Sequence, residues 1–176
     1  MEYIFYLFII LVIWHFVYQA ILLPSFRLKL RFEFFSLRDK LRLLKIRYKS
    51  DINDNLYHYL HDQINSNLHN LHYLDFGLLY EAYIKLKNDS RFNKVVEDRM
   101  NLFKNCQVDE IKDIHSEIAD LFLKALVTNS GGWTIYIIPP SIIFLLFKGI
   151  KNLVNKITFI PERDIDKLFI DKGALT

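Results

Sequence analysis

The apolar positions of this chain form one long uninterrupted run at the start and shorter runs at helical spacing afterwards. The first run, from Tyr3 to Leu23, contains 21 residues and no formally charged side chain. As a helix it would extend about 31 Å, roughly the hydrocarbon thickness of a bilayer. A helix also satisfies its own backbone hydrogen bonds in lipid. The pattern therefore predicts a transmembrane helix over residues 1–24.

Beyond residue 50, apolar residues recur every three or four positions, and Asn or Asp residues precede several of these runs. Such spacing predicts amphipathic helices, and short polar residues are typical helix starts. Only five glycines and four prolines occur in 176 residues, which argues against a β-rich chain. We therefore predict a mainly α fold, with residues 51–130 forming a small cytoplasmic helical bundle. The predicted helices cover about Asn53–Tyr73, Leu78–Lys87, Arg91–Asn105 and Asp109–Thr128.

The Asn129–Gly132 run, NSGG, is the strongest helix-breaking signal in the chain. It precedes 15 uncharged residues, Trp133 to Phe147, with a proline pair in their middle. A proline pair kinks or breaks a helix, and the run is short for a membrane span. Three placements stay open for residues 131–150: a kinked or re-entrant membrane segment, a second full span, or a buried apolar piece. Residues 151–176 are predicted to form an amphipathic C-terminal tail.

The formal net charge of +3 is distributed unevenly along the chain. Between Pro24 and Ser50, nine Lys or Arg residues are opposed only by Glu33 and Asp39, so this stretch carries +7 and the rest of the chain −4. Cationic flanks collect on the cytoplasmic side, which predicts an N-terminus outside the cell and the bulk of the chain inside it. Residues 25–50 are predicted to form a basic juxtamembrane amphipathic arm that lies on an anionic leaflet. The cations assigned to that membrane surface are Arg27, Lys29, Arg31, Arg38, Lys40 and Arg42.

Two other interpretations of this arm stay open. Basic runs with interleaved aromatic residues also bind nucleic acid. A basic flank after a membrane span is expected from topology alone, however, so the lipid bilayer is the expected partner. Alternatively, the arm could pack against the helical domain or a neighbouring subunit. The near-heptad seam that would do so consists of Leu37, Leu41, Leu44 and Tyr48.

Polar side chains also occur inside the predicted span. His15, Tyr18 and Gln19 share one helix face because residues three and four apart are neighbours on a helix. Such groups at membrane depth usually face another helix or a wet cavity. This face could hold an oligomer together by inter-helix hydrogen bonds, or it could line a pore. Both interpretations require partners, so the sequence predicts a homo-oligomer.

Four histidines form the second candidate constellation. An H-x-x-H pair recurs after eleven residues, close to three helical turns, so both pairs are predicted to share nearly one helix face. Histidine pairs at this spacing could ligate a transition metal. The two pairs would lie about 16 Å apart along one helix, so a single ion cannot bind all four. A polar helix face explains them equally well, and we predict no bound metal. The residues are His58, His61, His69 and His72.

Other patterns of catalysis are absent from the sequence, which has no phosphate-binding glycine loop, no G-x-S-x-G elbow, no H-E-x-x-H and no Cys/His cluster. The acidic residues of the predicted helices are typical of solvated helix faces. Cys106 is the only cysteine, so no intramolecular disulfide forms and a reducing cytoplasm suits the soluble part. We therefore predict a protein that binds no cofactor and is not an enzyme.

The layout of the chain resembles small membrane-anchored effectors of bacterial anti-phage defence systems. The resemblance is carried by the Tyr3–Leu23 run, the Leu37–Tyr48 arm and the Trp133–Phe147 segment. It implies a pore-forming or membrane-disrupting effector that its cytoplasmic domain controls. It also implies a separately encoded soluble partner, either a sensor or a signal-making enzyme. The alternative is a membrane tether whose helical domain docks a soluble partner protein.

Overall fold

A computed structural model describes residues 2–49, 51–137 and 150–160. For residues 132–137 it describes the backbone alone. These residues are mainly helical, and no strand occurs among them. One helix continues from Glu2 to Tyr48. Its first part, α1 (Glu2–Val17), contains no buried residue, and its last part is α2 (Leu23–Tyr48). The structure thus confirms a mainly α chain whose long apolar N-terminal helix could span a membrane.

A five-residue π-helical turn, Tyr18–Leu22, joins α1 to α2. Pro24 has no backbone N–H and cannot donate to the carbonyl four residues earlier, so the α-helical ladder is interrupted here. The Leu23 N–H donates instead to the Tyr18 carbonyl, five residues back, which is the π-helical pattern. Ser25 Oγ donates to the Ile21 carbonyl at 2.8 Å. The extra residue in this turn changes the rotation between the two helices without ending the helix.

Side-chain caps start the next three helices, α3 (Asp54–His69), α4 (Phe76–Asn88) and α5 (Ser90–Lys104). Asn53, Asp75 and Asp89 each accept a hydrogen bond from a first-turn backbone N–H. Such caps satisfy donors that have no partner inside the helix. The predicted helix starts near Asn53 and after Asp89 are confirmed. The predicted helix to Tyr73 is wrong at its end, because α3 stops at His69 and a short 3-10 helix, Leu71–Tyr73, follows.

The core lies where α2 packs between α3 and α6 (Asp109–Ile137). α2 and α6 are antiparallel: Tyr48 Oη donates to Glu110 at 2.6 Å near one end, and Lys124 pairs with Glu33 at 3.0 Å near the other. The near-heptad seam predicted for α2 is confirmed as its core face. The buried residues of that face are Leu30, Phe34, Leu37, Leu41 and Leu44. We call the packed helices, residues 18–131 and 150–160, the helical body.

Because α2 is the central helix of the helical body, residues 25–50 do not form a separate arm. The helix that continues the apolar run carries the core face on one side and packs there against α3 and α6. The seam and the basic residues belong to the same helix, and burial of the seam determines where the cations point.

The predicted break at Asn129–Gly132 is wrong, since α6 continues through it to Ile137. Residues 138–149, and with them most of the second apolar segment, lie outside the described part of the chain. Residues 150–157 are helical again and return to the helical body, where Lys151 pairs with Asp120 at 3.3 Å. Val154, Ile157, Phe159 and Ile160 are buried there. The start of the predicted C-terminal tail is therefore part of the core, and 161–176 lies outside the described residues.

Candidate functional site

The helical body meets the apolar helix at a junction built around Tyr18 in the π-helical turn. Tyr18 is buried, and its hydroxyl donates a 2.7 Å hydrogen bond to the Thr128 carbonyl of α6. A tyrosine that is buried needs a partner for its hydroxyl, and this carbonyl supplies it. The contact joins residues 110 positions apart in the sequence. It fixes the C-terminal part of α6 beside the point where the apolar run ends.

Asn129 is the most connected residue of this junction. Its Oδ1 accepts a hydrogen bond from Arg27 Nε at 2.8 Å, and its Nδ2 donates to the carbonyls of Leu71 and Leu74 at 2.7 and 2.8 Å. These bonds satisfy backbone carbonyls of the 3-10 helix and of the loop after it, which have no helical partner. One side chain on α6 thereby holds α2 and the connection between α3 and α4.

The two residues after Asn129 complete the junction. Ser130 Oγ accepts the backbone N–H of Phe76 at the start of α4, at 3.1 Å. Gly131 is buried, and a Cβ placed on it would lie 2.6 Å from Tyr18 Oη. Only glycine leaves room for the tyrosine ring at that distance. The run predicted to break the helix therefore makes contacts with the rest of the chain. Its small and polar residues allow three neighbouring elements to approach α6 closely.

Charge accumulates at the same junction. A second guanidinium nitrogen of Arg27 reaches the His72 carbonyl at 3.5 Å. Partial burial lowers the pKa of Arg27, and the nearby Tyr18 hydroxyl opposes this effect. Burial, followed by the positive charge of Arg27, lowers the pKa of the His72 imidazole. Partial burial at this boundary thus disfavours the charged forms of both Arg27 and His72.

The three residues predicted to share an inter-helix or pore face have different surroundings in the structure. Tyr18 is engaged inside the chain with Thr128, whereas Gln19 is exposed and His15 is half-buried. The predicted face therefore loses its central member to the helical body. Sequence reasoning missed Thr128 and Gly131 as the residues of α6 that lie against Tyr18. The available signal was the small polar run inside an otherwise regular amphipathic helix.

The cations predicted to lie on a membrane surface have protein partners in several cases. Arg38 lies 4.9 Å from the centre of the Phe35 ring and reaches Asn65 Oδ1 at 3.5 Å. Lys40 pairs with Glu117, and Arg42 lies 3.4 Å from Asp39. Arg27 belongs to the junction. Lys29 and Arg31 are exposed on α2 and lie nearest the end of the apolar run.

The predicted histidine pairs do not share one helix. His58 and His61 lie on α3 and His69 ends it, but His72 lies in the following 3-10 helix. The His61 ring stacks on Tyr57 at 5.8 Å and its Nδ1 lies 3.1 Å from Asn65 Nδ2. Across residues 2–49, 51–137 and 150–160, no group of three or more His, Cys, Asp or Glu side chains is arranged to hold a metal ion.

A fifth body histidine, His115, was missed by sequence reasoning. It is buried on α6, its Nε2 lies 3.0 Å from Thr158 Oγ1, and its ring stacks on Phe159 at 4.3 Å. Burial lowers its pKa to about 4, so the imidazole is neutral at physiological pH. The signal in the sequence was its position among Ile111, Ile114 and Ile118, on the apolar face of α6. His115 fixes residues 158–159 to the helical body.

Comparison of the chain with protein-family models, with curated proteins and with solved structures finds no match. What the geometry itself provides is a junction that fixes the apolar helix, α6 and the start of α4 in one arrangement. The Arg27 guanidinium bonds to the Asn129 amide, and the Asn129 amide and the Tyr18 hydroxyl bond to backbone carbonyls.

Proposed function

We propose that this protein is a membrane-anchored effector whose cytoplasmic helical bundle controls assembled membrane helices. The observation that carries the proposal is the continuous helix from Glu2 to Tyr48. Its first 16 residues bury nothing within the chain, and its last 26 supply the central face of the core. An apolar helix without any buried residue requires lipid or other helices around it.

The membrane placement follows the charge pattern. The nine cations between Pro24 and Ser50 directly follow the apolar run, which favours a cytoplasmic helical bundle and an external N-terminus. Residues 150–160 pack on the same helical body, beside Asp120 and His115 of α6. This packing favours the placements in which the second apolar segment returns to the side from which it starts. A tail left on the far side of the membrane could not make these contacts.

The junction would couple the helical bundle to the membrane helix. Since α2 is both the continuation of the apolar helix and the centre of the core, any rearrangement of the helical bundle acts on the membrane helix directly. Tyr18, Arg27 and Asn129 fix the two at the boundary. We assign the pore or inter-helix contact to the polar positions His15, which is half-buried, and Gln19, which is exposed. A soluble sensor or signal-making enzyme would then act by changing the state of the bundle.

Membrane potential measured in bacteria tests this proposal. Inducing the full chain, with and without phage infection as a trigger, should collapse the potential reported by a voltage-sensitive dye and arrest growth. The matched control carries Ile10→Arg, which places a charge in the middle of the apolar run and should prevent insertion. Unchanged potential and growth in both arms, with the full chain present in the membrane fraction, would contradict the effector function.

A membrane tether is the second candidate. The absence of any buried residue from α1 favours it, because a tether needs nothing more from the span. Deleting residues 1–17 removes the apolar part without touching Tyr18 or the core. The truncated chain should leave the membrane and carry its soluble partner with it. The tether interpretation fails if the truncated chain is folded and captures nothing that the full chain captures.

A further inference from the structure

The outward side of α2 carries a second row of large apolar residues. Each lies two positions from a residue of the buried seam, and two positions rotate a helix by about 200°, so the row faces directly away from the core. These side chains are 54%, 63%, 38%, 64% and 67% exposed, in chain order. We call them the outer stripe: Leu28, Phe32, Phe35, Leu43 and Ile46.

We propose that the outer stripe is the surface through which two copies of this chain pair in parallel, as the juxtamembrane continuation of their membrane helices. The inference rests on the proposed membrane anchoring. Two copies that share one bilayer present α2 in the same direction, so the stripe of one copy meets the same residues of the other. An interface of this kind is self-complementary about a two-fold axis.

The spacing of the stripe suits such a pair. Leu28, Phe32 and Phe35 follow one another at four and three positions, which is the heptad spacing of a parallel coiled coil. Leu43 and Ile46 repeat the three-residue step further along the helix. Five side chains at these exposures leave roughly 500 Å² of apolar surface per copy, so a pair would bury roughly 1,000 Å², close to the lower bound for a specific interface. Asp39 interrupts the row, but the largest apolar patch on a monomer, typically about 300–600 Å², is often functional.

The charges along the stripe are compatible with a second copy. Asp39 lies between Phe35 and Leu43, and Arg42 lies 3.4 Å from its carboxylate. In a parallel pair, each Asp39 faces the Asp39 of the other copy, and Arg42 of its own chain offsets the charge of each carboxylate. One polar position inside an apolar seam is also a recognised way to set register. Lys40 and Lys45 are already paired with Glu117 and Asp54 inside the chain.

Lipid alone does not cover the stripe in this geometry. From Leu28 to Ile46 the helix rises about 27 Å, and Ile46 lies about 35 Å beyond Leu23. The headgroup layers add only about 10–15 Å in total to the hydrocarbon core. A helix that continues a membrane span therefore carries Leu43 and Ile46 out of reach of the bilayer. In the proposed pair, the second copy covers these two residues.

Cysteine cross-linking in native membranes tests the pairing. The background is the full chain with Cys106→Ala, which removes the single native thiol, a buried one. Phe32→Cys and Leu43→Cys, oxidised in membranes, should each convert most of the protein into a disulfide-linked dimer. Ser116→Cys, an exposed position on α6, is the matched control and should give only a minor dimer fraction. Adding Phe32→Lys to Leu43→Cys should reduce its dimer several-fold.

Each outcome bears on the inference. Equal dimer formation at all three positions would indicate random collision and would overturn it. No dimer at positions 32 and 43, with the protein retained in alkali-washed membranes, would also overturn it while leaving the anchor intact. In that case, blocked maleimide labelling at position 43 would assign the stripe to a different protein. Release of the protein by the alkaline wash would instead contradict the proposed membrane anchoring.

Discussion

Replacing Asn129 by alanine should destabilise the protein more than any other single change in the junction. The substitution removes the acceptor of Arg27 Nε and both donors to the carbonyls of Leu71 and Leu74. It leaves the carbonyls of Leu71 and Leu74 and the Nε of Arg27 without the Asn129 side chain as partner, in a region that is only partly open to water. These three hydrogen bonds join α6 to α2 and to the connection between α3 and α4, so one small change weakens two contacts between elements.

The expected loss of unfolding free energy follows from the three hydrogen bonds of the Asn129 side chain. A typical intramolecular hydrogen bond contributes about 0.5–1.5 kcal/mol and one to a charged group about 1.5–3 kcal/mol. Partial hydration of the freed groups reduces the total, and alanine gains up to about 0.7 kcal/mol over asparagine in helix propensity. The expected net loss is about 2–3 kcal/mol of unfolding free energy, which for a chain of this length lowers Tm by roughly 5–10 °C.

Thermal unfolding of the purified full chain in mild detergent, followed by circular dichroism at 222 nm, measures this loss. Asn101→Ala is the matched control, because Asn101 is exposed on α5 and its removal should leave Tm unchanged or slightly higher. A Tm for Asn129→Ala equal to that of the control would refute the role assigned to this junction. It would mean that α6 continues past Asn129 for reasons other than these contacts.

Three further changes are expected to act on stability in defined ways. The pKa of His115 is lowered to about 4 from an ordinary 6.5, so the unfolded chain takes up the proton first. Stability should therefore be complete above about pH 6.5 and fall by roughly 3 kcal/mol as the pH drops to 4, a component that His115→Gln should remove. Gly131→Ala places a methyl 2.6 Å from Tyr18 Oη and should lower Tm, whereas Gly77→Ala, at an exposed position of α4, should leave Tm unchanged or raise it. Asp89→Ala removes the cap that accepts the first N–H groups of α5 and should cost about 1 kcal/mol.

Each of these expectations has a contradicting result in the same unfolding assay. An identical pH profile for the native chain and His115→Gln between pH 6.5 and 4 would contradict the buried neutral imidazole. Equal Tm values for Gly131→Ala and Gly77→Ala would show that the Tyr18 ring does not lie against α6. A Tm for Asp89→Ala equal to that of the native chain would show that the cap is dispensable.

Local signals in the sequence predicted the parts of the fold that depend on local physics. The apolar run predicted the long N-terminal helix, and Asn53 and Asp89 predicted helix starts because their side chains satisfy neighbouring N–H groups. The seam of α2 was visible as a heptad spacing. Its burial against α6 rather than in lipid was only one of the alternatives, because periodicity does not identify the surface that covers it.

The junction could not be predicted in the same way. Helix propensity penalises Asn, Ser and Gly by up to about 1 kcal/mol each, so NSGG is typical of a break. In the structure, contacts to Arg27, Phe76 and Tyr18 outweigh this penalty, and those residues lie 50 or more positions away in the sequence. His115 was missed for a related reason, since its burial depends on contacts with residues 158–159, which the sequence does not place next to it.

The central claim is that the helix from Glu2 to Tyr48 leaves the bilayer and becomes the core of the helical body without a break. Spin labels placed one at a time in the Cys106→Ala chain, reconstituted in lipid, test it through their collisions with oxygen and with a water-soluble nickel complex. Labels between Ile4 and Val17 should collide mainly with oxygen, with a maximum near Ile10, and labels on Leu43 or Ile46 should lie outside the lipid. Nickel access throughout residues 4–17, or lipid-like values at Leu43 and Ile46, would contradict it.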